Sequence, residues 1–500
     1  MKKTKISIIP ALLVGTLLVQ GCAVFMTKVP DITGDRLAAR LAGDISTLAS
    51  DEFQGRRPGT PGGRKTVEYI ERRFREIGLE PGNGDSYLQA VSLTRVAAEP
   101  GLTLTISSPA GSMVLEEEDF AARVTGNVPL VKFDKHEIVL VGFGIQAPEF
   151  DWDDYAGVDV AGKVVFMFRN DPGFATGDTA LFNGKEDSRH GGYRRKYALA
   201  LEQEPAATFL IWDANLSDSD YGWDQTRRYY GPGRTRLSTD PQPEQPEYVS
   251  GAIYVDAARR IFELIDLDYD SLVTAAATRG YQSVPLDLTL NGDFRSNLEE
   301  ISTHNVMGLL RGSKRPDELV IYMGHWDHEG IDTTLEGDQI YNGAVDNASG
   351  TAAVINMAAE FVTLESPPAR SILFIGLTSE ELGMLGSKWY AENPIFPLTK
   401  TAAAINIDMI FPYGKTRDLV VFGLGKSQLD GYLRRAAAKQ GMVLGPDLWP
   451  DENYYFRSDH INLARKGVPA LSMDTGVDYV DHDREWGLAK VQAYSDSMYH

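Results

Sequence analysis

Beyond about residue 300, short apolar runs alternate with amphipathic segments. The runs with the length and composition of buried strands are Leu319–Met323, Ile372–Leu377, Ala402–Ile407, Leu419–Phe422 and Val468–Met473. Two intervening segments, Ala348–Val362 and Gln428–Gln440, repeat their apolar residues at helical spacing. Strands that alternate with helices in this way favour an α/β fold, with a mostly parallel central sheet and helices on both of its faces.

The pattern before residue 300 predicts further regions. Helical spacing indicates one helix near residues 37–48 and another near 67–77, the second closed by Gly78. From about residue 131 the chain changes to short β-like runs separated by acidic and Gly-rich turns. We therefore predict that residues 23–130 and 296–500 form one domain and that residues 131–295 form a β-rich insert.

Composition restricts the possible functions. Of the 500 residues, 43% are apolar and 24% are charged, as in an ordinary globular protein. The 49 basic and 70 acidic residues give a net charge of -21, which would repel phosphate backbones, so we do not expect a nucleic-acid partner. A single Cys excludes a Cys-rich zinc module, so any metal must be held by His and carboxylate side chains.

The first residues are typical of an export signal. Lys2, Lys3 and Lys5 precede the mainly apolar run Ile6–Val19, which is too short to span a bilayer comfortably. Residues 1–22 resemble a bacterial lipoprotein signal, in which Cys22 becomes the acylated first residue. The alternative is a plain secretory signal in which Cys22 is incidental. Both interpretations predict an exported chain in the periplasm or cell envelope, and the first predicts attachment to the membrane through a lipid on Cys22.

Metal-binding side chains follow the predicted strands where the strands end, or precede a helix N-terminus. They are His325, Asp346, Glu381 and Asp408. Since ligands of open α/β sheets bind beyond the carboxyl ends of the strands, we expect these side chains to meet there. A single carboxylate in such a place could simply cap a helix, but helix capping does not explain four.

Imidazole and carboxylate groups together suit Zn²⁺ or a similar divalent ion. There are too many ligands for one tetrahedral site, whereas two ions bridged by one carboxylate would use them all. Paired ions about 3.5–4 Å apart can hold both the attacking water and the substrate carbonyl. Glu380, next to the candidate ligand Glu381, is then the natural general base.

Several ordered motifs resemble peptidase family M28, the co-catalytic zinc exopeptidases. They are Gly324–His328 (Gly-His-Trp-Asp-His), Asp346–Gly350, Glu380–Ser387 and Asn406–Met409, together with the early Gly55–Gly62 and the later Tyr454–His460. This resemblance covers nearly all of the chain that would follow the signal. It implies the phosphorylase/hydrolase-like fold of zinc exopeptidases, two Zn²⁺ per chain and peptide substrates.

The resemblance also implies a role for each candidate residue. His325 and Asp408 would bind one zinc, Asp346 would bridge the two ions, and Glu381 would bind the second. The peptide bond between Asp346 and Asn347 would be cis. Two further implied roles concern residues beside these ligands. Glu380 would be the general base, and Asp327 would orient His325 through its other ring nitrogen.

The fifth ligand has two candidates. The family draws it from a late Tyr-His pair, and Tyr499-His500 fits that pattern at the end of this chain. His460 is the alternative, although the corresponding segment of the family lines the substrate site. Motif position favours His500 as the ligand, with His460 in substrate binding and Tyr499 stabilising the tetrahedral oxyanion.

The insert has a resemblance of its own. Segments Val141–Glu149, Trp152–Tyr155 and Val158–Val165 are similar to a protease-associated (PA) domain. In the family such inserts lie near the mouth of the active site and restrict or bind substrate. The resemblance implies no catalytic group in this region.

We thus expect an exported zinc exopeptidase that hydrolyses terminal peptide bonds, and specifically an aminopeptidase. Carboxypeptidases and glutaminyl cyclases on the same scaffold are alternatives within enzymes. An inactive, receptor-like relative is the alternative outside them.

Overall fold

The structure is a computed structural model that describes residues 34–186, 188–217, 222–231 and 233–499. The predicted signal, including Cys22, and the predicted ligand His500 lie outside the described residues. Within the described ranges, no helix combines the length and the apolar character that crossing a lipid bilayer requires.

Helices occur along the whole described chain. They are α1 (Asp35–Leu48), α2 (Pro61–Ile77), α3 (Pro172–Thr176), α4 (Tyr193–Leu201), α5 (Trp223–Tyr230), α6 (Val255–Glu263), α7 (Tyr269–Ala276), α8 (Gly350–Phe361), α9 (Leu385–Glu392), α10 (Leu429–Ala438), α11 (His460–Arg465) and α12 (Arg484–Ser497). The strands are β1 (Glu80–Pro81), β2 (Leu88–Ala98), β3 (Leu104–Ser108), β4 (Gly111–Leu115), β5 (Phe120–Val124), β6 (Leu130–Leu140), β7 (Gln146–Ala147), β8 (Trp152–Asp153), β9 (Val164–Phe168), β10 (Ala207–Trp212), β11 (Arg234–Leu237), β12 (Val249–Tyr254), β13 (Val284–Leu310), β14 (Arg315–His325), β15 (Gly330–Ile331), β16 (Ile340–Tyr341), β17 (Arg370–Leu377), β18 (Thr401–Ile407), β19 (Asp418–Phe422), β20 (Val443–Pro446) and β21 (Ala470–Thr475).

The chain divides into two compact units. Unit 1 comprises the residues up to Leu93 and from Ile301 onwards, and unit 2 comprises Thr94–Glu300. Unit 2 begins before the predicted insert boundary at residue 131 and ends after the predicted boundary at 295. The reason is strand pairing: β3 pairs with β13 and β5 pairs with β12, so these early strands complete the sheet of the insert. The likeness of this unit to a PA domain stays a prediction.

The sheet of unit 1 has the order β1-β13-β17-β14-β18-β21-β19-β20. Its central strands β17, β14, β18 and β21 are parallel, as the alternation of strands and helices predicts. The pairs β13–β17 and β19–β21 are antiparallel, so the sheet is mixed towards both edges.

Helices cover both faces of this sheet, as predicted. One apolar core contains Ile70 and Phe74 of α2 with Val354 of α8, and another contains Tyr390 of α9 with Leu463 of α11. The expected end of α2 is confirmed, because Gly78 adopts φ 89°, its N–H bonds to the carbonyl oxygen of Arg75, and the N–H of Leu79 bonds to that of Phe74.

Strand register aligns the ends that carry chemistry. His325, the last residue of β14, is level with Leu377, the last residue of β17. On the other side of β14, Met323 pairs with Asn406, so Asp408 follows β18 at the level of His325. Parallel strands therefore deliver His325, Asp408 and the residues after Leu377 to the same edge of the sheet.

Unit 2 contains a second sheet, with the order β4-β3-β13-β6-β9-β10-β12-β5. Its middle strands β6, β9, β10 and β12 run parallel, and β9 and β10 are buried along their whole length. Helices α6 and α7 pack against it through residues such as Ile261, Phe262 and Tyr269. This unit thus has an apolar core of its own.

Candidate metal centre

The imidazole of His325 lies between two carboxylates at the edge of the unit 1 sheet. Its Nε2 is 3.2 Å from Asp346 Oδ1 and 3.2 Å from Asp408 Oδ1. All three residues are at least largely buried, with 2%, 5% and 18% of their side-chain surfaces exposed. The structure therefore brings together three predicted ligands from three separate stretches of chain.

The other ring nitrogen of His325 determines which tautomer suits this arrangement. Nδ1 lies 3.2 Å from the carbonyl oxygen of Asp327. Because a carbonyl only accepts hydrogen bonds, Nδ1 must carry the hydrogen, which leaves the lone pair of Nε2 facing the two carboxylates. A cation held between these three atoms, or a proton on Nε2, relieves their mutual repulsion.

Glu381 completes the cluster. Ligand atoms of His325, Asp346 and Glu381 all lie within 4.8 Å of one another. On its other side, Glu381 Oε1 is 2.7 Å from Nδ1 of the buried His328. His328 thus holds the carboxylate of Glu381 in place. Its position in the sequence, two residues before β15, did not predict this contact.

Asp327 fixes the loop that follows β17. Its carboxylate oxygens accept hydrogen bonds from the backbone N–H groups of Glu380 (3.1 Å) and Glu381 (3.3 Å). Its Oδ1 is 3.9 Å from Nδ1 of His325, farther than its own carbonyl oxygen. The predicted orientation of His325 thus comes from the backbone of Asp327, while the carboxylate positions the Glu380-Glu381 pair.

The electrostatics of the cluster reflect many buried acids. Burial raises the pKa of Asp327 to about 7, although His325 lowers it. Burial also raises the pKa of Glu380 well above its usual value, and the carboxylates of Asp459 and Glu381 add to this against the opposing effect of His325. Such mutual repulsion is the environment that a bound divalent cation stabilises.

The loop that carries Asp346 is tied to the end of β18. The Asp346-Asn347 peptide bond is cis, as the resemblance implies. Asn347 Nδ2 donates to the carbonyl oxygen of Ile407, and its Oδ1 accepts from the N–H groups of Gly350 and Met409. These bonds bring Asp346 to the same place as Asp408.

Asp408 is held from the segment that precedes α11. Ser458 Oγ donates to Asp408 Oδ2 at 2.6 Å and accepts from Asn406 Nδ2 at 2.7 Å. The Tyr454–His460 motif therefore contributes a positioning hydroxyl group, a role that the sequence did not predict for Ser458.

Arg56 hydrogen-bonds to both of the loops that carry the candidate ligands His325 and Asp346. The residue has no exposed surface, and within the described residues the hydrogen bonds of its guanidinium go to backbone carbonyl groups. The acceptors are Trp326 (2.9 Å), Leu48 (2.8 Å), Asn342 (2.5 Å), Gly343 (2.8 Å) and Asp346 (3.4 Å). Burial lowers the pKa of Arg56 to about 10, while the carboxylates of Asp346, Asp327 and Glu381 oppose that change. The sequence marked Arg56 only as part of a motif.

The late candidates are placed differently. Burial raises the pKa of the Tyr499 hydroxyl, and Asp346, Glu381 and Asp408 act in the same direction, so this group lies within reach of the acidic cluster. His460 is fully buried at the start of α11, with no hydrogen-bond partner for either ring nitrogen among the described residues. Its ring contacts that of Tyr455, with centroids 5.1 Å apart. His460 is not among the side chains that converge within ligand distance of His325 in the described part of the chain.

The geometry of the cluster fits zinc. Two ligand atoms bound to one tetrahedral zinc at about 2.0–2.1 Å lie roughly 3.3 Å apart. The two 3.2 Å contacts of His325 Nε2 match that separation. One imidazole with three carboxylates is also a donor set that zinc accepts.

Comparison with known proteins gives a family. The model of peptidase family M28 matches residues 305–500, which contain every candidate ligand. The mouse aminopeptidase NAALADL1 is 32% identical over 132 residues, covering 25% of this chain and 16% of that protein. The probable glutamate carboxypeptidase AMP1 of Arabidopsis thaliana is 27% identical over 219 residues, covering 40% of this chain and 28% of that protein. The matches thus span less than a third of these relatives' lengths.

The fold has a solved counterpart. The structure of an aminopeptidase from Aneurinibacillus sp. strain AM-1 superimposes with a TM-score of 0.53 at 17% identity, over 88% of this chain and 86% of that one. This likeness concerns the fold alone. The family match and the ordered motifs make residues 305–500 of this chain similar to peptidase family M28.

Proposed function

We propose that this protein is an exported metallo-exopeptidase with two zinc ions, and that it acts as an aminopeptidase. The observation that carries the proposal is the convergence of His325, Asp346, Glu381 and Asp408 at one edge of the sheet. A structural role would not require a buried imidazole to face three carboxylates, whereas a pair of cations does.

Each ligand has a place in this proposal. His325 and Asp408 would hold one zinc, Asp346 would bridge, and Glu381 would hold the other together with His500. Zinc, when bound, lowers the pKa of a coordinated water and polarises the substrate carbonyl. His328 supports the second position by holding Glu381 at 2.7 Å.

Glu380 moves the proton. Its backbone is fixed by Asp327, and the adjacent Glu381 belongs to the ligand cluster. The carboxylate of Glu380 would accept a proton from the attacking water and return it to the nitrogen of the leaving amine. The Tyr499 hydroxyl would donate to the oxygen that becomes negative as the carbonyl is attacked.

Replacing Glu380 tests the proposal. Glu380→Gln keeps the side-chain volume but cannot accept the proton, so we expect kcat to fall by roughly 10²- to 10⁴-fold with zinc content unchanged. Hydrolysis of aminoacyl chromogenic substrates measures the rate, and elemental analysis measures the zinc. Glu392→Gln, an exposed residue at the end of α9, serves as the control and should keep normal turnover. Near-normal turnover of Glu380→Gln would remove the residue from this role.

The end of the peptide that is attacked distinguishes two activities. The chain is similar both to a mouse aminopeptidase and to a probable plant glutamate carboxypeptidase, so the experiment compares these two activities. N-acetylated peptides block an aminopeptidase, whereas C-terminally amidated peptides block a carboxypeptidase. We expect acetylation to abolish hydrolysis and amidation to be tolerated; the opposite result would make the protein a carboxypeptidase.

Export and anchoring rest on the pattern of residues 1–22. Labelling with a radioactive fatty acid in a bacterial host should mark the wild-type protein in the envelope fraction. The Cys22→Ala variant should lose the label. A labelled variant, or a wild-type protein that stays in the cytoplasm, would contradict this part of the proposal.

A further inference from the structure

Three guanidinium groups meet on unit 2, far along the chain from the metal ligands. Arg234 and Arg236 lie two residues apart on β11, and therefore on the same face of that strand. Arg236 Nη2 donates to the carbonyl oxygen of Thr125 at 2.8 Å, just after β5, the strand that carries Arg123. We call Arg123, Arg234 and Arg236 the arginine cluster.

The ion pairs of the described residues include none formed by Arg123, Arg234 or Arg236, and Asp240 is the acid whose charge acts on Arg234. Arg236 is only 8% exposed, and its buried Nη1 has no hydrogen-bond partner among the described residues. The chain holds 70 acidic residues and has a net charge of -21, so a shortage of acidic side chains does not explain why these cations form no ion pair. A buried cation without a counter-ion is costly, and an anionic ligand would remove that cost.

Tyrosine rings surround the cluster. Arg123 Nη2 donates to Tyr229 Oη at 3.1 Å, and its guanidinium carbon is 4.7 Å from the centre of that ring. Tyr193 packs against Tyr229, with centroids 6.0 Å apart, and the two residues are 42% and 44% exposed. Partial burial lowers the pKa of Arg234, and the charges of Arg236 and Arg123 lower it further, although Asp240 opposes them. The charges of Arg236 and Arg123 therefore act on Arg234, and exposed aromatic surface lies beside Arg123.

We propose that the arginine cluster and Tyr229 bind a carboxylate side chain of an acidic peptide. Guanidinium groups bind carboxylates through paired, charge-assisted hydrogen bonds, and the exposed rings offer contact area for the neighbouring residues of the peptide. The choice of a peptide over other anions rests on the proposed function, in which peptides are the substrates. The site would give unit 2, in which no catalytic group is predicted, a role in recognising the peptide.

A doubly blocked peptide tests this binding without hydrolysis. The probe is a fluorescent hexaglutamate peptide, acetylated at one end and amidated at the other, measured by anisotropy on the full chain. We expect the double variant Arg123→Gln/Arg234→Gln to bind at least about 10-fold more weakly than the wild type, because each substitution removes charged hydrogen bonds. Higher salt should also weaken wild-type binding.

Arg228→Gln is the matched control, since Arg228 is exposed on α5 beside Tyr229 but takes no part in the contacts above. It should bind the probe and hydrolyse neutral peptides like the wild type. Equal binding by the wild type and the double variant would overturn the proposal. So would inorganic phosphate or phosphatidylglycerol vesicles binding as tightly as the peptide, with the same loss in the double variant. A wild type that binds the probe but hydrolyses no peptide would contradict only the proposed function.

Discussion

Arg56 is a buried cation that acts on the metal site through backbone carbonyl groups. It joins Trp326, next to the candidate ligand His325, to Asp346, the candidate bridging ligand. Its planar fork satisfies acceptors in several directions at once, which a lysine ammonium cannot reproduce. Arg56 is therefore a positioning residue for both ligand loops.

Arg56→Lys should weaken zinc binding by roughly 10- to 100-fold, because partners outside the ligand set typically contribute this much to metal affinity. Competition with a chelator measures the affinity, and the visible spectrum of the cobalt-substituted protein reports ligand geometry. At saturating zinc, kcat should be close to that of the wild type. Arg57→Lys is the control, because the guanidinium of Arg57 hydrogen-bonds to the partly exposed Glu329, which is not a candidate ligand. Equal affinity of Arg56→Lys and wild type would show that Arg56 has no positioning role.

Lys196 is a buried cation of a different kind, in unit 2. Its Nζ donates to the carbonyl oxygens of Phe168 (2.5 Å) and Asn170 (2.7 Å). Burial lowers its pKa from 10.5 to about 7, although Asp154 and Asp171 oppose this. The folded state thus releases a proton that the unfolded chain keeps between about pH 7 and 10.5.

Lys196 should therefore make unit 2 more stable as the pH rises through that window. Below about pH 7 the amine is charged in both states, and its unfavourable burial is fully present. We expect the melting temperature of the wild type relative to Lys196→Met to increase between about pH 7 and 9.5, measured by calorimetry. A difference that stays constant or shrinks over this range would contradict the lowered pKa.

At the scale of elements, the loop between β16 and α8 determines where Asp346 lies. Gly343 has φ +56°, and a Cβ there would lie 2.2 Å from the carbonyl oxygen of Asp346 and 2.5 Å from Cδ2 of His328. The loop is thus packed directly against His328, the residue that contacts Glu381. At its far end, Asn347 ties it to β18. The loop can approach His328 this closely because Gly343 has no side chain.

Gly343→Ala should displace this loop and weaken zinc binding by at least about 10-fold, with a lower melting temperature. Gly337→Ala, in the loop between β15 and β16, is the matched control, because Gly337 also has positive φ (+85°) but nothing lies within 4 Å of its Cβ position. Both variants carry the conformational cost of about 1 kcal/mol, and only the first carries the crowding. Similar zinc affinities for the two variants would mean that the close packing at Gly343 does not matter.

For the whole molecule, the division into two units separates metal binding from the insert. All described ligand candidates belong to unit 1, and unit 2 has its own apolar core. Binding energy from zinc therefore belongs to the folding of unit 1. The unit 2 sheet does not depend on the ligands for its packing.

Removal of zinc should lower the melting temperature of unit 1 alone. A ligand present at about 1,000 times its Kd stabilises by roughly 4 kcal/mol, which corresponds to a shift on the order of 10 °C for a unit of this size. Calorimetry with and without a chelator measures the shift, and Lys196→Met identifies the transition of unit 2. A chelator that shifts neither transition would count against a resident metal.

Local patterns were enough to predict the central elements and the side chains that meet at the edge of the unit 1 sheet. The buried strands ending at His325, Leu377 and Ile407 are visible as apolar runs, and parallel strands bring their carboxyl ends to one edge by topology alone. Hence the meeting of His325, Asp346, Glu381 and Asp408 followed from the sequence, as did the helix ending at Gly78.

Contacts between distant stretches of chain could not be predicted in this way. Arg56 hydrogen-bonds to Trp326, 270 positions further along the chain. The contact of His328 with Glu381 also joins residues too far apart for a helical or strand repeat to predict. The start of unit 2 at Thr94 likewise depends on how strands pair, and the contact of Arg236 with Thr125 joins stretches of chain 111 residues apart. Hydrophobic patterns report which face of an element is buried, but not which other element buries it; that choice is made only when the sheets assemble.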